Sequence, residues 1–385
     1  MPECFAGKRL ELCGRNAGRC SVLNAHRTFK EDFVTSFDRK SLLNSIRTVS
    51  LVIPSRTPQP VLESVLLKCR DNTATLTATD NECRVNVKVE CDGEDFETLI
   101  PSGQVSSLLS AMSSETVTIS QGENRVVITD QSGTYTIPTR DIGEFPEDTF
   151  PIELTFPTDS LFLSRSLPMV TSVVVEKLVG GAYYVEGVRF DSVDGKVYLV
   201  GTDLNRLCAC RLGDGEIEPF TLSLKVAGLL SKMQGKISIG CKSGVVSLVS
   251  DGMSITSRTM LGTFPKWKPL TDTASKFERL EVKISELIEG LRKTSVFTNP
   301  ESKGVTLSVG KDATKLTSFG ADKGRCGVEI SGGSLATGPI KLHGELLAGF
   351  LEKVPKTLPV TIRVGDKFVV EVSDYCRFFM GLMEI

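Results

Sequence analysis

Three leucine-rich segments recur in this chain at a nearly constant period, and that period restricts it to a repeat architecture. Leu108-Leu109-Ser110-Ala111-Met112, Leu229-Leu230-Ser231-Lys232-Met233 and Leu346-Leu347-Ala348-Gly349-Phe350 lie 121 and 117 residues apart. Each holds a Leu-Leu pair with an apolar residue four positions on, the spacing of one helical stripe. An alternating strand follows each helix: Val117-Thr118-Ile119, Ile237-Ser238-Ile239 and Val360-Thr361-Ile362. A turn and a second β-rich run then complete a hairpin signature. Leu76-Thr77-Ala78-Thr79-Asp80 recurs as Leu199-Val200-Gly201-Thr202-Asp203 and, more loosely, as Leu316-Thr317-Ser318-Phe319-Gly320; Phe145-Pro146 recurs as Phe264-Pro265. Chance leucine pairs would not keep Thr-Asp and Phe-Pro in step.

Each unit also opens with an amphipathic segment, so a unit reads as helix, several strands, helix, several strands. The six helices are expected over 36–53, 101–112, 157–172, 223–234, 283–297 and 341–354, with Pro54 stopping the first and Pro168 kinking or ending the third. The units are expected to span 33–153, 154–277 and 278–385. Residues 1–32 fall outside the period and are expected to be a disordered tail or an upstream translation start, with no function assigned.

Lys+Arg 45 against Asp+Glu 47 excludes attraction to nucleic acid by bulk charge. The six helical segments nevertheless sum to +5, which leaves −7 elsewhere. The eleven cysteines contain no C-x-x-C and no zinc-site spacing. They read as reduced cytoplasmic thiols, with Cys208 and Cys210 as small buried hydrophobes on one strand face. No apolar run is long enough to span a bilayer, so no membrane partner is expected. With only His26 and His343, histidine triads and His-rich metal sites are excluded, and the string Gly304–Gly310-Lys311-Asp312 lacks P-loop spacing. No catalytic residue, metal or cofactor is expected. Asp80 and Asp203 recur with the repeat, which suits a structural turn.

Pro60-Val61-Leu62 before Leu76–Asp80, Tyr183-Tyr184-Val185-Glu186-Gly187, Gly201–Leu207, Thr263-Phe264-Pro265, Lys303–Leu307 and the tail Phe378-Phe379-Met380-Gly381-Leu382 stand in order on this period. Together they resemble the bacterial DNA sliding clamp family, the β subunit of the replicative DNA polymerase, over about residues 33–385. The resemblance implies an α+β fold of three repeated clamp domains per chain. Two chains would close head to tail into a homodimeric six-domain ring, with helices lining the bore and antiparallel sheets outside. The implied function is a non-enzymatic processivity factor that encircles double-stranded DNA in the cytoplasm. It would tether the replicative polymerase, the clamp loader and repair proteins through short linear motifs. A positive lining inside an acidic exterior suits threading. The alternative left open is a repeat-built interaction scaffold that does not encircle DNA, and a third is an enzyme with an unrecognised site.

Matched residue by residue, the family's partner-peptide cleft falls on Val185, Thr202, Leu204, Arg206, Leu207, Pro265, Pro269, Leu270, Phe379, Met380 and Leu382. Trp267 is expected at the cleft rim. The family's usual Gly-His between Asp and Arg is Leu204-Asn205 here, the Pro after the tail Met is Gly381, and the chain closes on Glu384-Ile385 rather than Arg-Leu. DNA contact is implied for Arg56, suited to phosphate, and for Tyr183 and Tyr184, suited to stacking on an unpaired base. Diffuse lining contacts are expected from Arg39, Arg47, Lys225, Lys232, Arg292 and Lys293. The dimer seam maps onto Tyr135, Val296 and Phe297.

Overall fold

The computed structural model describes residues 33–122, 124–147, 152–175, 185–334 and 338–384. Tyr183, Tyr184 and the segment 1–32 lie outside them. One element order, strand–helix–four strands–helix–three strands, occurs three times. In the first unit, strand Phe33–Asp38 leads into helix α1 (Arg39–Val49). Four longer strands (Ser64–Arg70, Thr73–Thr79, Cys83–Glu90, Phe96–Pro101) precede α2 (Ser102–Ala111), with a two-residue strand Asp92–Gly93 among them. Three more strands close the unit, the last being Thr134–Pro138. The second unit repeats this from Phe156–Asp159 through α3 (Ser160–Thr171) and α4 (Leu224–Leu230) to Met253–Arg258. A short helix α5 (Lys268–Asp272) links it to the third, which runs from Glu278–Leu280 through α6 (Ile284–Ser295) and α7 (Gly344–Leu351) to Cys376–Gly381.

The helices form where a cap and a stripe coincide. The Asp38 carboxylate accepts from Ser41 N at 2.7 Å, a cap worth about 1 kcal/mol. Leu42, Leu43, Ile46 and Val49 then turn one buried face to the sheets. The first helix is therefore shorter than the expected 36–53. Ser36, Phe37 and Asp38 instead pair with Thr118, Val117 and Thr116 as strand, because their period-two alternation buries Thr35 and Phe37. Of the two outcomes expected at Pro168, an end to α3 is corrected, since the helix continues to Thr171. Pro168 sits in the last turn, where Thr171 Oγ1 donates to Leu167 O at 2.8 Å and Ser172 Oγ to Met169 O at 2.7 Å. These hydroxyls satisfy carbonyls at the helix end.

All strand pairings are antiparallel, and the sheets run across the unit boundaries. Strand Met253–Arg258 of the second unit pairs with Cys83–Glu90 of the first, from Met253↔Val87 to Ser257↔Cys83. Strand Cys376–Gly381 of the third unit pairs with Arg206–Asp214 of the second, from Arg206↔Met380 to Cys210↔Cys376. Each junction thus joins the last strand of one unit to the third of the preceding unit's four-strand run, building two eight-stranded sheets. Two strands in these equivalent positions stay at sheet edges: Thr134–Pro138 in the first unit and Gly324–Ser331 in the third.

Candidate functional site

The recurring Thr-Asp pair builds the same tight turn twice. In the second unit Thr202 Oγ1 donates to Arg206 O at 2.6 Å and accepts from Leu204 N at 3.0 Å. Asp203 Oδ1 accepts from Asn205 N at 3.0 Å and Arg206 N at 2.6 Å. In the first unit Thr79 Oγ1 and Asp80 Oδ1 make the corresponding four bonds around Asn81, Glu82 and Cys83. The structural-turn reading of Asp80 and Asp203 holds. Both turns place a non-glycine residue in the left-handed region, Asn81 at φ 72° and Leu204 at φ 73°. Asparagine tolerates that conformation; a leucine Cβ crowds its own carbonyl there. Leu204 stands at the position where the resemblance implies a glycine.

Beside the second turn lies an apolar cluster of Val185, Val200, Leu207, Ala209, Phe264, Trp267, Ala274, Val369 and Phe379. Of the expected cleft residues, Val185, Leu207 and Phe379 meet here, and strand register sets Leu207 directly across from Phe379. Met380 points to the opposite face of the same strand into the main core, against which Leu382 packs. Leu204, Pro269 and Leu270 are exposed, Leu204 to 55%, and Pro265 is half-buried. Arg206 is not a free cationic rim. Its side chain, 5% exposed, clasps Asp203 Oδ2 through Nη2 at 2.7 Å and Nε at 2.8 Å, while Nη1 donates to Ser172 O at 3.2 Å.

Trp267 is buried within this cluster and not at an exposed rim. It is 3% exposed, its Nε1 donates to Asp191 Oδ2 at 2.8 Å, and Tyr198 packs edge-on at 5.1 Å. A cavity of about 260 Å³ adjoins it, lined by Tyr198, Trp267, Arg211, Lys268 and Arg377 among others. Asp272, 2.6 Å away, holds the Lys268 ammonium above its ordinary value by hydrogen bonding. The strand alternation 207/209 and 198/200 is the sequence signal for the cluster members Ala209 and Val200.

The expected DNA-facing cations divide into paired and unpaired groups. Arg39 donates to Ser114 O and Leu109 O at 2.6 and 2.8 Å, closing the end of α2, and Arg47 donates to Ser110 Oγ at 2.9 Å. Lys225 spans two units, reaching Asp80 Oδ2 at 2.6 Å and Val52 O at 2.9 Å. Arg292 pairs with Glu352 at 2.8 Å and Lys293 with Glu289 at 2.6 Å. Arg56 and Lys232 are exposed and hold no ion pair among the described residues.

Of the residues expected at a seam, one lies on a free edge strand and two follow α6. Tyr135 lies on edge strand Thr134–Pro138 and is half-buried, Val296 is 64% exposed at the end of α6, and Phe297 follows it half-buried. Phe319, outside the expected set, is 59% exposed and breaks the apolar alternation of strand Ala313–Gly320. The neighbouring edge strand Gly324–Ser331 is tied to α6 by Glu286, whose carboxyl is held at about 2 by hydrogen bonds from the Ser331 backbone and hydroxyl.

Residues 34–150 match the family described as DNA polymerase III beta subunit, N-terminal domain. A Pseudomonas aeruginosa beta sliding clamp is 23% identical over 321 residues, covering 79% of this chain and 86% of that relative. A Chlamydia pneumoniae beta sliding clamp is 26% identical, covering 72% and 77%. A solved sliding clamp from Pseudomonas aeruginosa bound to griselimycin superposes with TM-score 0.83 at 20% identity, covering 92% of this chain and all of that one. The DNA polymerase III beta subunit of Thermotoga maritima gives 0.80 at 19% over the same share. The structures establish the three-repeat clamp fold, and the match over the first unit and the relatives over most of the chain point the same way: this chain is similar along nearly its whole length to the bacterial DNA polymerase III β sliding clamps.

Proposed function

We propose that two copies of this chain close head to tail into a ring that encircles duplex DNA and tethers a replicative polymerase as a non-catalytic processivity factor. The observation that carries this reading is the pair of unmatched edges. Inside the chain, every junction joins the last strand of one unit to the third strand of the preceding unit's four-strand run. Among the described residues, the first unit's last strand and the third unit's third strand have no such partner. A second copy supplies both at once, and a head-to-tail contact of this kind closes after two chains if each unit turns by one sixth of a circle. Tyr135, Val296 and Phe297 are then buried anchors of the seam, joined by Phe319. The proposed units are 33–153, 154–277 and 278–385, a division supported by the strands that begin at Phe33, Phe156 and Glu278.

The apolar cluster around Leu207 and Phe379, with exposed Leu204, Pro269 and Leu270 beside it, is the cleft for short linear motifs of polymerase, clamp loader and repair proteins. Its proposed members remain Val185, Thr202, Leu204, Arg206, Leu207, Pro265, Pro269, Leu270, Phe379, Met380 and Leu382, with Thr202 and Arg206 shaping the turn rather than touching peptide. Arg56 and Lys232 are the strongest candidates for phosphate contact. Few unpaired cations suits a ring that slides, because each tight phosphate contact adds friction and salt dependence. No described helix is long and apolar enough to cross a membrane; the proposed site of action is the cytoplasm.

The deciding experiment loads the protein on nicked circular DNA and then linearises the circle. Threading predicts retention on the circle and release on cutting; retention on the linear form overturns it. Val296→Glu with Phe297→Glu is expected to give folded single chains, because burying two unpaired charges costs several kcal/mol. Persisting dimers would move the seam elsewhere.

A further inference from the structure

Three cysteines that the sequence scatters meet behind the cleft. Arg211 N donates to Tyr375 O at 2.6 Å and Gly381 N to Asn205 O at 3.0 Å. The hydrogen-bonded pairs therefore fall on odd-numbered residues of strand Arg206–Asp214, and Cys210 faces Cys376 in a closer, non-hydrogen-bonded pair. Cys208, two residues along, shares that face. Their sulphurs stand 3.9 Å (Cys208–Cys210), 3.6 Å (Cys208–Cys376) and 2.7 Å (Cys210–Cys376) apart, and all three side chains are at most 1% exposed.

A second observation points to a ligand. The Ser166 Oγ on α3 and the Tyr375 hydroxyl are buried without hydrogen-bond partners. Ser166, itself 0% exposed, stands beside the Cys210 thiol. Orphaned buried hydroxyls are rare in folded chains.

We propose that Cys208, Cys210 and Cys376 bind one thiophilic d10 divalent cation of the zinc type, with Ser166 Oγ as the neutral fourth donor. A zinc–sulphur bond of about 2.3 Å sets tetrahedral sulphurs about 3.8 Å apart. The Cys208–Cys210 and Cys208–Cys376 separations already match, and the Cys210–Cys376 pair opens by about 1 Å through χ1 rotation. Binding displaces the protons the trio carries, and a divalent cation held by three thiolates leaves the site with a single negative charge near Arg165. The bound ion ties α3 and strand Arg206–Asp214 of the second unit to strand Cys376–Gly381 of the third. It does so on the face opposite Leu207 and Phe379, and so stiffens the back wall of the cleft. C-x-C spacing plus a ligand 166 residues away is invisible to a motif search.

The test titrates the full reduced chain with Cd²⁺ and follows the ultraviolet thiolate-to-cadmium charge-transfer band, with Zn²⁺ as competitor. One equivalent per chain, displaced by Zn²⁺, is expected. Cys208→Ala and Cys376→Ser should weaken binding by more than about tenfold and Ser166→Ala by about tenfold, with Cys91→Ser unchanged. Circular dichroism checks that each variant folds. Should Cys376→Ser fail to fold, Cys208→Ala decides, together with a Zn²⁺-dependent rise in Tm present in the parent and absent in the variant. No stoichiometric uptake by the folded parent, equal uptake by Cys208→Ala, or a Cys210–Cys376 disulfide in protein kept under thiol reductant each overturns the proposal.

Discussion

The turns at Asp80 and Asp203 are near copies in backbone and unlike in use. Each is closed by a threonine hydroxyl and one carboxylate oxygen, with matching hydrogen bonds and a left-handed residue at the same place. The second carboxylate oxygen separates them. Asp80 sends it outward to Lys225 of the next unit, so the first turn serves as a tie between units. Asp203 sends it inward to Arg206, so the second turn is locked locally and leaves Leu204 standing exposed beside the apolar cluster. A repeat preserves the hydrogen-bond pattern that makes the turn; the surplus valence of a single carboxylate is free to be reassigned.

Removing the carboxylates should break this comparison most forcefully. Asp203→Ala strips two turn hydrogen bonds and strands Arg206, 5% exposed, without its partner, a loss of about 3–5 kcal/mol. Asp80→Ala loses the same turn bonds but frees a 40% exposed lysine, for about 1–2 kcal/mol. Denaturant midpoints of the two variants measure the gap, and equal losses would refute the inward–outward distinction. Leu204→Gly comes next: relief of the left-handed strain, less the entropy glycine adds to the unfolded chain, should raise stability by about 0.5–1 kcal/mol. Asn81→Gly should change it by less than about 0.5 kcal/mol, since asparagine already accepts that conformation. The same Leu204→Gly protein, assayed with peptides of the family's partner motifs, would sharpen the role of the exposed leucine. The smallest effect is expected for Lys225→Met, under about 0.5 kcal/mol after solvent screening and shrinking with added salt. A salt-independent loss would mean that the contact to Val52 O, not the ion pair, carries the tie.

Much of this was legible in the sequence because a period of about 118 residues leaves several independent marks. The leucine stripes fell on α2, α4 and α7, and Thr-Asp fell on the twin turns. What escaped the sequence depended on neighbours far along the chain. Residues 36–38 look like the start of a helix until strand Thr116–Gly122 arrives to pair with them. Counting charge on helices gives a cationic lining, yet counting cannot tell that Lys225, Arg292 and Lys293 already hold carboxylates. Trp267 looked like a rim residue because its partners Asp191 and Tyr198 lie about seventy residues upstream. Met380 and Phe379 are adjacent in sequence, and only strand pairing assigns them to opposite faces.

The ladders that cross from unit to unit also govern how the molecule flexes. Domains joined by a loose linker hinge cheaply, but here a hinge at either internal boundary would have to tear open five consecutive residue pairs of antiparallel backbone. Bending is therefore spread along the sheets as twist. A gate in the proposed ring has one place left to be, where two separate chains meet.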